Sequence, residues 1–337
     1  MALAIRGMNY DTGTEFVRGD STRARLTVDE LEFDFLAIRD ELHCNSINLY
    51  GTDLHRIVSA AELALAMGLH VSLQLRSIDA GKSEALERIA LAAAAAQRLD
   101  TRANRVTLNL ACEITLFNRG FLPGNDFLRR IANLSWSWPL LPLANAMLGR
   151  FMQRATTTAR AAFAGPITYS AGSWERVNWS MFDFVGLDLY RDKDNQTNYA
   201  EILRSHFRHG KPVLITEFGC CTYAGAEHLG GGGWLALDWM SSPPRIKPGH
   251  VRSEAAQAKY LDELLALYDA AGVHGAYVYD FVQPQLKHSS DPRYDLDMAS
   301  YGIVKAIAGR NDPPWQRKAA FEIVAQRYDA FAKTPSE

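Results

Sequence analysis

The stretch Lys211-Pro212-Val213-Leu214-Ile215-Thr216-Glu217-Phe218-Gly219 decides the fold class of this chain. It is an apolar run of strand length that ends on a carboxylate, with a glycine two residues later. Buried parallel strands are continuous aliphatic and β-branched runs of this kind. Open α/β sheets and barrels place their chemistry at the carboxyl ends of such strands. Glu217 is therefore predicted to lie at the carboxyl end of a buried parallel strand.

A second, earlier segment has the same form, Arg105-Val106-Thr107-Leu108-Asn109-Leu110-Ala111-Cys112-Glu113. Strand alternation assigns its residues to two faces, a polar one with Thr107, Asn109, Ala111 and Glu113 and an aliphatic one with Val106, Leu108 and Leu110. Two other candidate strands repeat the polar face, with Ser46, Asn48 and Tyr50 on one and Ser72, Gln74 and Arg76 on the other. We predict that the polar faces point into a barrel and the aliphatic faces toward helices.

Strand-like and helical segments alternate along the whole chain. The strands are predicted at 4–10, 44–50, 70–76, 106–113, 167–170, 184–190, 213–218 and 276–281, and helices at 27–42, 54–67, 83–99, 147–164, 198–209 and 253–271. This rhythm predicts an α/β fold, a single (β/α)₈ TIM barrel over residues 1–337. An open doubly wound sheet is the competing architecture, but no glycine-rich phosphate loop follows the first strand.

Long loops are predicted after three of the strands, as catalytic loops of a barrel tend to be. One follows Glu113, a second follows Glu217, and a third follows the last strand. The second contains the run Gly230 to Gly233, which makes it a candidate lid, with an ordinary surface turn as the alternative.

Composition limits the possible functions. The chain has 337 residues with 47% hydrophobic and 22% charged content, typical of a globular protein, and its net charge of −2 gives no electrostatic case for nucleic acid or an anionic membrane. Four cysteines are too few for a disulfide framework, so a reduced, cytoplasmic protein is expected. No CxxC or HExxH motif is present, and we predict neither a metal nor a cofactor. No apolar stretch reaches transmembrane length. The sequence does not predict an oligomeric state.

Two strand-terminal glutamates suit the cleavage of a glycosidic bond. One carboxylic acid protonates the leaving oxygen, while a second carboxylate attacks or stabilises the anomeric carbon. The fourth and seventh strands of an eight-stranded barrel lie nearly opposite each other, so Glu113 and Glu217 could flank a sugar ring. The alternative for either glutamate is a barrel-mouth residue neutralised by an arginine such as Arg6 or Arg76.

The strand order and the ending Thr216-Glu217-Phe218-Gly219 resemble clan A glycoside hydrolases, which are retaining enzymes on (β/α)₈ barrels. The resemblance implies that Glu113 is the acid/base, that Glu217 is the nucleophile and that the partner is a carbohydrate. It also implies a tyrosine that orients the nucleophile, for which we expect Tyr190. The sequence is similar, too, to bacterial proteins often labelled abortive phage infection proteins, but these residues supply no mechanism for that label.

The chain departs from the clan in two places. The clan has an asparagine immediately before its acid/base, where this chain has Cys112, and a tryptophan at the end of strand eight, where this chain has Tyr279 and Phe281 nearby. The predicted substrate-binding residues are Asn9, Tyr10, Asp11, Asn48, Tyr50, Arg76, Trp174, Asp188, Tyr190, Tyr279 and Phe281. Each could instead serve only in hydrogen bonding at the barrel mouth, because buried polar groups need partners.

The sequence therefore predicts a retaining glycoside hydrolase acting on a small neutral glycoside or oligosaccharide. Two alternatives stay open. One is a transglycosidase or lyase on the same barrel, and the other is a non-catalytic carbohydrate-binding barrel, because a fold by itself does not fix a function.

Overall fold

The computed structural model describes residues 3–100, 105–309 and 314–333. Within these ranges, eight parallel strands close into a barrel in which each strand pairs with its neighbours in sequence and the last pairs with the first. The strands are β1 (Ile5–Asp11), β2 (Ser46–Gly51), β3 (His70–Leu75), β4 (Val106–Cys112), β5 (Ile167–Gly172), β6 (Val185–Asp188), β7 (Val213–Phe218) and β8 (Gly275–Val278). The predicted (β/α)₈ barrel is confirmed.

Seven helices of seven or more residues alternate with these strands in the described ranges. They are α1 (Val28–Leu36), α2 (Leu54–Ala66), α3 (Lys82–Leu99), α4 (Leu141–Arg160), α5 (Tyr199–Ser205), α6 (Glu254–Ala271) and α7 (Ala319–Lys333). The connection from β5 to β6 departs from the alternation, since it contains a single 3₁₀ turn, Trp179–Met181. None of the described helices is long and apolar enough to cross a membrane.

Local sequence signals set the helix ends. Thr27 begins α1 with a capping box, in which its Oγ1 accepts a hydrogen bond from the backbone N of Glu30 (3.2 Å) and its own N donates to the Glu30 carboxylate (2.9 Å). This exchange satisfies two backbone donors that a helix start leaves without partners. Gly272 ends α6 with a left-handed φ of 75°. Glycine adopts this conformation without steric penalty.

The barrel interior is polar and the outer strand face is aliphatic, as predicted. Val106, Leu108 and Ile215 are fully buried in the core cluster that the strands share with the helices. Inside the barrel, Nδ2 of Asn109 donates to Ser170 Oγ at 2.7 Å. The interior thus carries hydrogen bonds from strand to strand up to the barrel mouth.

The two strands that lead to the glutamates each contain one extra residue. Between β4 and β5 the pairing passes from Asn109 with Thr168 to Cys112 with Ser170. Between β6 and β7 it passes from Leu187 with Ile215 to Asp188 with Glu217. Such bulges interrupt the alternation of faces and redirect the side chains that follow.

The bulge in β4 corrects one expectation. Strict alternation predicted that Ala111 shares the inner face with Asn109, whereas the pairing partner of Ser170 is Cys112. The Cys112 thiol donates to Asp188 Oδ2 across the barrel at 3.3 Å. All four cysteines are buried and free.

The three long loops are present, over residues 113–140, 219–253 and, in the described part of the third, 279–309 and 314–318. In the second loop, the glycine run forms the 3₁₀ segment Gly230–Ala236. Two tyrosine hydroxyls donate hydrogen bonds to this segment. That of Tyr301 donates to the carbonyl of Gly230 (3.1 Å), and that of Tyr223 donates to the carbonyl of Gly233 (2.7 Å). The glycines are therefore bonded into the barrel mouth in this structure.

Candidate active site

Glu113 follows β4 in a left-handed backbone conformation, with φ of 39° and ψ of 49°. Its backbone N donates to the carbonyl of Ser170 (2.9 Å), and its own carbonyl accepts from Leu116 and Phe117. Few residues other than glycine adopt positive φ, and the conformation persists only where neighbouring contacts hold it. Its side chain is partly exposed, and no donor from the described residues bonds its carboxyl.

Glu217, the penultimate residue of β7, is fixed at both carboxylate oxygens. Tyr190 donates its hydroxyl to Oε1 at 2.7 Å, and Nη2 of Arg76 lies 3.2 Å from Oε2. The Glu217 side chain is 16% exposed, whereas that of Arg76 is 3% exposed. These two contacts therefore fix the orientation of the Glu217 carboxylate, and part of the side chain remains accessible at the barrel mouth.

Arg76 lies at the centre of the site. Its Nε donates to Gln74 Oε1 at 3.0 Å, and its guanidinium stacks over the Tyr50 ring at 3.9 Å. The sequence left open whether Arg76 binds the substrate or neutralises one of the two glutamates. The structure shows an ion pair with Glu217.

A third carboxylate, Asp188, lies buried at the end of β6. Its Oδ1 accepts from Thr216 Oγ1 at 2.7 Å, and its Oδ2 accepts from the Cys112 thiol. Cys112 Sγ and one carboxylate oxygen each of Asp188 and Glu217 lie within 4.8 Å of one another. The Arg76 guanidinium already provides the positive charge beside Glu217, so we assign no metal site to these three groups.

The charge balance distinguishes the two glutamates. Burial raises the pKa of Glu113 well above its usual value, and the neighbouring Asp188, Glu217 and Glu175 charges raise it further. Burial also raises the pKa of Glu217, but Arg76 and the hydrogen bond from Tyr190 hold it back. The surroundings thus favour the protonated form more strongly at Glu113 than at Glu217.

Burial also raises the pKa of Asp188 well above its usual value, and the charge of Glu217 adds to the rise. Hydrogen bonds from Thr216 and Cys112 and the charge of Arg76 act in the opposite direction. Three carboxyl groups therefore share one guanidinium at the barrel mouth, and they compete for the ionised state.

Two predicted aromatic residues lie at the mouth. The ring of Tyr279 is half-buried, 5.5 Å from that of Tyr301 and 6.0 Å from that of Tyr50. Trp174, in the turn after β5, donates its indole N–H to Thr115 Oγ1 at 2.9 Å. Both rings keep part of their surface open.

Other predicted polar residues are occupied by the protein itself. Asn9 donates to the carbonyls of Thr216 (3.0 Å) and Tyr277 (3.2 Å) and accepts from Asn48 (2.6 Å). Asp11 Oδ1 accepts from the backbone N of Gly13 and the hydroxyl of Thr14, both at 2.9 Å. A further hydroxyl, that of Tyr50, donates to Asp280 (2.8 Å).

The structure places two of the predicted binding residues in the core, away from the barrel interior. Tyr10 is fully buried, with its hydroxyl donating to Asp34 Oδ2 at 2.7 Å and its ring 5.2 Å from that of Phe35 in α1. Alternation along β1 turns Tyr10 away from the interior that Asn9 occupies. Phe281 is also fully buried, against Tyr10 and Trp315. Both belong to the core between strand and helix.

An open cleft of about 690 Å³ lies beside this centre. Arg76, a predicted site residue, lines this cleft. The cleft is also lined by Phe16 from the loop after β1, Asp53 from the loop after β2, and Asp79 and Arg119. Neither Glu113 nor Glu217 lines the cleft, so Arg76 is the link between the cleft and the carboxylates.

Sequence reasoning missed two residues that bond the site together. Thr216 lies on the same side of β7 as Glu217 because of the bulge. Strict alternation would have placed the two side chains on opposite faces of the strand. Glu175 carries a buried carboxylate in the turn directly after β5. Its position shortly after the end of a strand is a signal that could have found it.

Solved structures of similar fold include glycosidases. A GH113 β-1,4-mannanase in complex matches with a TM-score of 0.63 and 12% identity, covering 98% of this chain and 100% of that one. A GH113 β-mannanase from Alicyclobacillus acidocaldarius matches with a TM-score of 0.63 and 18% identity, covering 97% of each chain. A β-glucuronidase from Ruminococcus gnavus matches with a TM-score of 0.57 and 14% identity, covering 97% of this chain and 49% of that one.

At these identities the likeness shows the fold, a (β/α)₈ barrel shared with glycoside hydrolases. No protein-family model matches the sequence, and no curated protein matches it. Residue roles therefore have to be argued from the site itself.

Proposed function

We propose that this protein is a retaining glycoside hydrolase acting on a neutral glycoside or oligosaccharide. The observation that carries the proposal is the contrast between two glutamates that end β4 and β7 and face one barrel mouth. Glu217 is held by a cation and a hydroxyl, as an ionised nucleophile requires. Glu113 lies among negative charges without a donor, as a protonated acid requires. Pairs of titratable groups with opposed environments are the usual mark of an acid and a nucleophile.

In the proposed reaction, Glu217 attacks the anomeric carbon while Glu113 gives its proton to the departing oxygen. The bond from C1 to the aglycone breaks as the bond from C1 to Glu217 forms. Water then attacks C1, Glu113 takes up the water proton, and Glu217 leaves as a carboxylate. This double displacement retains the anomeric configuration.

The substrate class follows from the cleft and from the fold relatives. A cleft of about 690 Å³ beside Arg76 has room for further sugar units. Its lining includes both arginines and acids, which suits hydroxyl groups rather than a polyanion. Because β-mannanases are among the structures of similar fold, β-mannosides and β-mannan oligosaccharides are the first substrates to test.

The test is turnover of aryl β-mannosides and manno-oligosaccharides, with other aryl glycosides screened in parallel. We expect retention of configuration in the first-formed product by proton NMR. A 2-deoxy-2-fluoro aryl glycoside of the sugar that turns over should label the peptide containing Glu217. Glu217→Gln should lose roughly 10⁴-fold or more of the activity, because groups that act as one unit fail together when one is removed.

The alternatives give different results. A transglycosidase or lyase would form product without incorporating oxygen from labelled water. A non-catalytic carbohydrate-binding barrel would turn over none of these glycosides and would bind oligosaccharides equally well after Glu217→Gln.

A further inference from the structure

The buried carboxylate of Glu175 takes no part in the proposed reaction, yet it accepts four hydrogen bonds. Oε1 accepts from the backbone N of Thr115 (3.0 Å) and from its hydroxyl (2.7 Å). Oε2 accepts from the Tyr169 hydroxyl (2.6 Å) and the backbone N of Gly172 (3.2 Å). No arginine or lysine of the described residues pairs with Glu175.

These bonds favour an ionised carboxylate. The Tyr169 oxygen accepts from the backbone N of Ile114 at 2.8 Å, so its proton is free to point at Glu175. The Thr115 oxygen likewise accepts from the Trp174 indole. Burial raises the pKa of Glu175, while the hydrogen bonds from Tyr169 and Thr115 lower it. Two of the four donors are backbone N–H groups, which can only donate, and an ionised Glu175 accepts from all four at once.

Through these bonds Glu175 holds two backbone groups that directly follow Glu113. Thr115 is bonded to it directly, and Ile114 is bonded through the Tyr169 hydroxyl. Glu113 itself has the left-handed conformation, which depends on surrounding contacts to persist. The Glu175 carboxylate is therefore the anchor of the turn that presents the Glu113 side chain.

The same carboxylate adds to the field at Glu113. The groups facing Glu113 are Asp188 from β6, Glu217 from β7, Glu175 from the turn after β5, and Arg76 after β3, with the neighbouring thiol of Cys112. Arg76 pairs with Glu217, whereas Glu175 has no such cation. Glu175 and Asp188 also line the same small cavity, of about 60 Å³.

We propose that Glu175 is the positioning residue for Glu113, fixing its backbone turn and adding a negative charge to the surroundings of its carboxyl group. This charge favours the protonated form of Glu113, which a general acid needs at neutral pH. The proposal rests on the proposed function for its catalytic meaning, although the positioning and the charge effect exist without turnover.

The test that needs no substrate is difference infrared spectroscopy. The carboxylic C=O band that is lost on Glu113→Gln reports the protonated form of Glu113, and its pH midpoint is then measured with and without Glu175→Gln. We expect a midpoint well above the ordinary glutamate value of about 4.3 in the parent protein. Glu175→Gln should lower that midpoint by about one pH unit or more, because a like charge has been removed.

Activity supplies the second readout. With phenyl and 2,4-dinitrophenyl glycosides of the sugar that turns over, Glu175→Gln should slow the phenyl substrate by roughly 10²-fold, the lower end for loss of acid catalysis. These rates are compared as kcat/KM, which reports the first step, and the dinitrophenyl substrate should be nearly unaffected because its leaving group needs no proton. Glu175→Asp, which keeps the charge, should restore part of the phenyl rate.

A folded Glu175→Gln protein with an unchanged midpoint would overturn the proposal. If that variant does not fold, a parent midpoint near the ordinary glutamate value would overturn it equally well. A shifted midpoint without turnover of any glycoside would keep the positioning role and reject the hydrolase instead.

Discussion

Nη2 of Arg76 lies 3.2 Å from Oε2 of Glu217, at the point where the open cleft meets the carboxylates. The pair is neither a surface salt bridge nor a sealed one, because Glu217 keeps 16% of its side-chain surface exposed. Arg76 therefore controls the ionisation of Glu217 without closing access to it.

Replacing Arg76 by glutamine should move the acid limb of the kcat/KM profile to higher pH. Arg76 lowers the pKa of Glu217 against the effect of burial, and Glu217 must be ionised to attack. Loss of an opposite charge this close should shift the limb by about 1–3 pH units. The pH dependence of hydrolysis measures it.

Arg119→Gln is the matched control, because Arg119 also lines the cleft but bonds neither Glu217 oxygen. Its profile should keep the parent acid limb. An unchanged limb in folded Arg76→Gln would exclude this role of the ion pair.

Tyr190→Phe should lower kcat with little change in KM. The variant removes the hydroxyl that donates to Glu217 Oε1, a bond to a charged group, at a loss of about 1.5–3 kcal/mol. The rate should fall roughly 10–100-fold. Tyr277→Phe is the control, because that hydroxyl bonds Ser46 inside the barrel. Equal activity of the two variants would show that the Tyr190 bond is not used.

Asp188→Asn should stabilise the protein at alkaline pH. Burial raises the pKa of Asp188 in the folded state, so the folded protein binds this proton more tightly than the unfolded chain does. The stability from this proton is complete below the unfolded pKa and is lost as pH rises toward the folded pKa. Asparagine does not ionise and can still accept from Thr216.

Urea denaturation at several pH values measures this effect. The advantage of Asp188→Asn should grow with pH, by about 1.4 kcal/mol for each unit by which the pKa is raised. Asp40→Asn serves as the control, because the hydrogen bond from Arg39 lowers the pKa of that surface carboxylate. A constant difference across pH for Asp188→Asn would contradict the prediction.

Tyr10→Phe should lower stability and leave the kinetic constants unchanged. Its hydroxyl donates to the buried Asp34 carboxylate, and losing a bond to a charged group should reduce the free energy of unfolding by about 1.5–3 kcal/mol. Thermal melting and a KM measurement check the two halves. A raised KM with normal stability would return Tyr10 to the binding site.

The fold was readable from the sequence because strand-like and helical segments alternate along the whole chain, and several strands alternate polar with aliphatic residues as a barrel wall does. The positions of Glu113 and Glu217 at strand ends were readable for the same reason. Tyr10 and Phe281 were misplaced because proximity to a strand end says nothing about which face a side chain takes. The hydrogen bonds of Glu175 to Thr115 and Tyr169 were not predictable, because the spacing of residues along the sequence does not show which of them meet in the fold.

The bulges in β4 and β7 bear on any attempt to transplant this centre. A regular strand delivers side chains to its two faces in strict turn, so an idealised barrel that copies Asp188, Cys112, Thr216 and Glu217 by position would send some of them into the helix layer. A design would therefore have to copy the bulged backbone of these strands together with the acidic side chains. In β7 of this barrel, one inserted residue places Thr216 and Glu217, which are neighbours in sequence, on the same side of the strand.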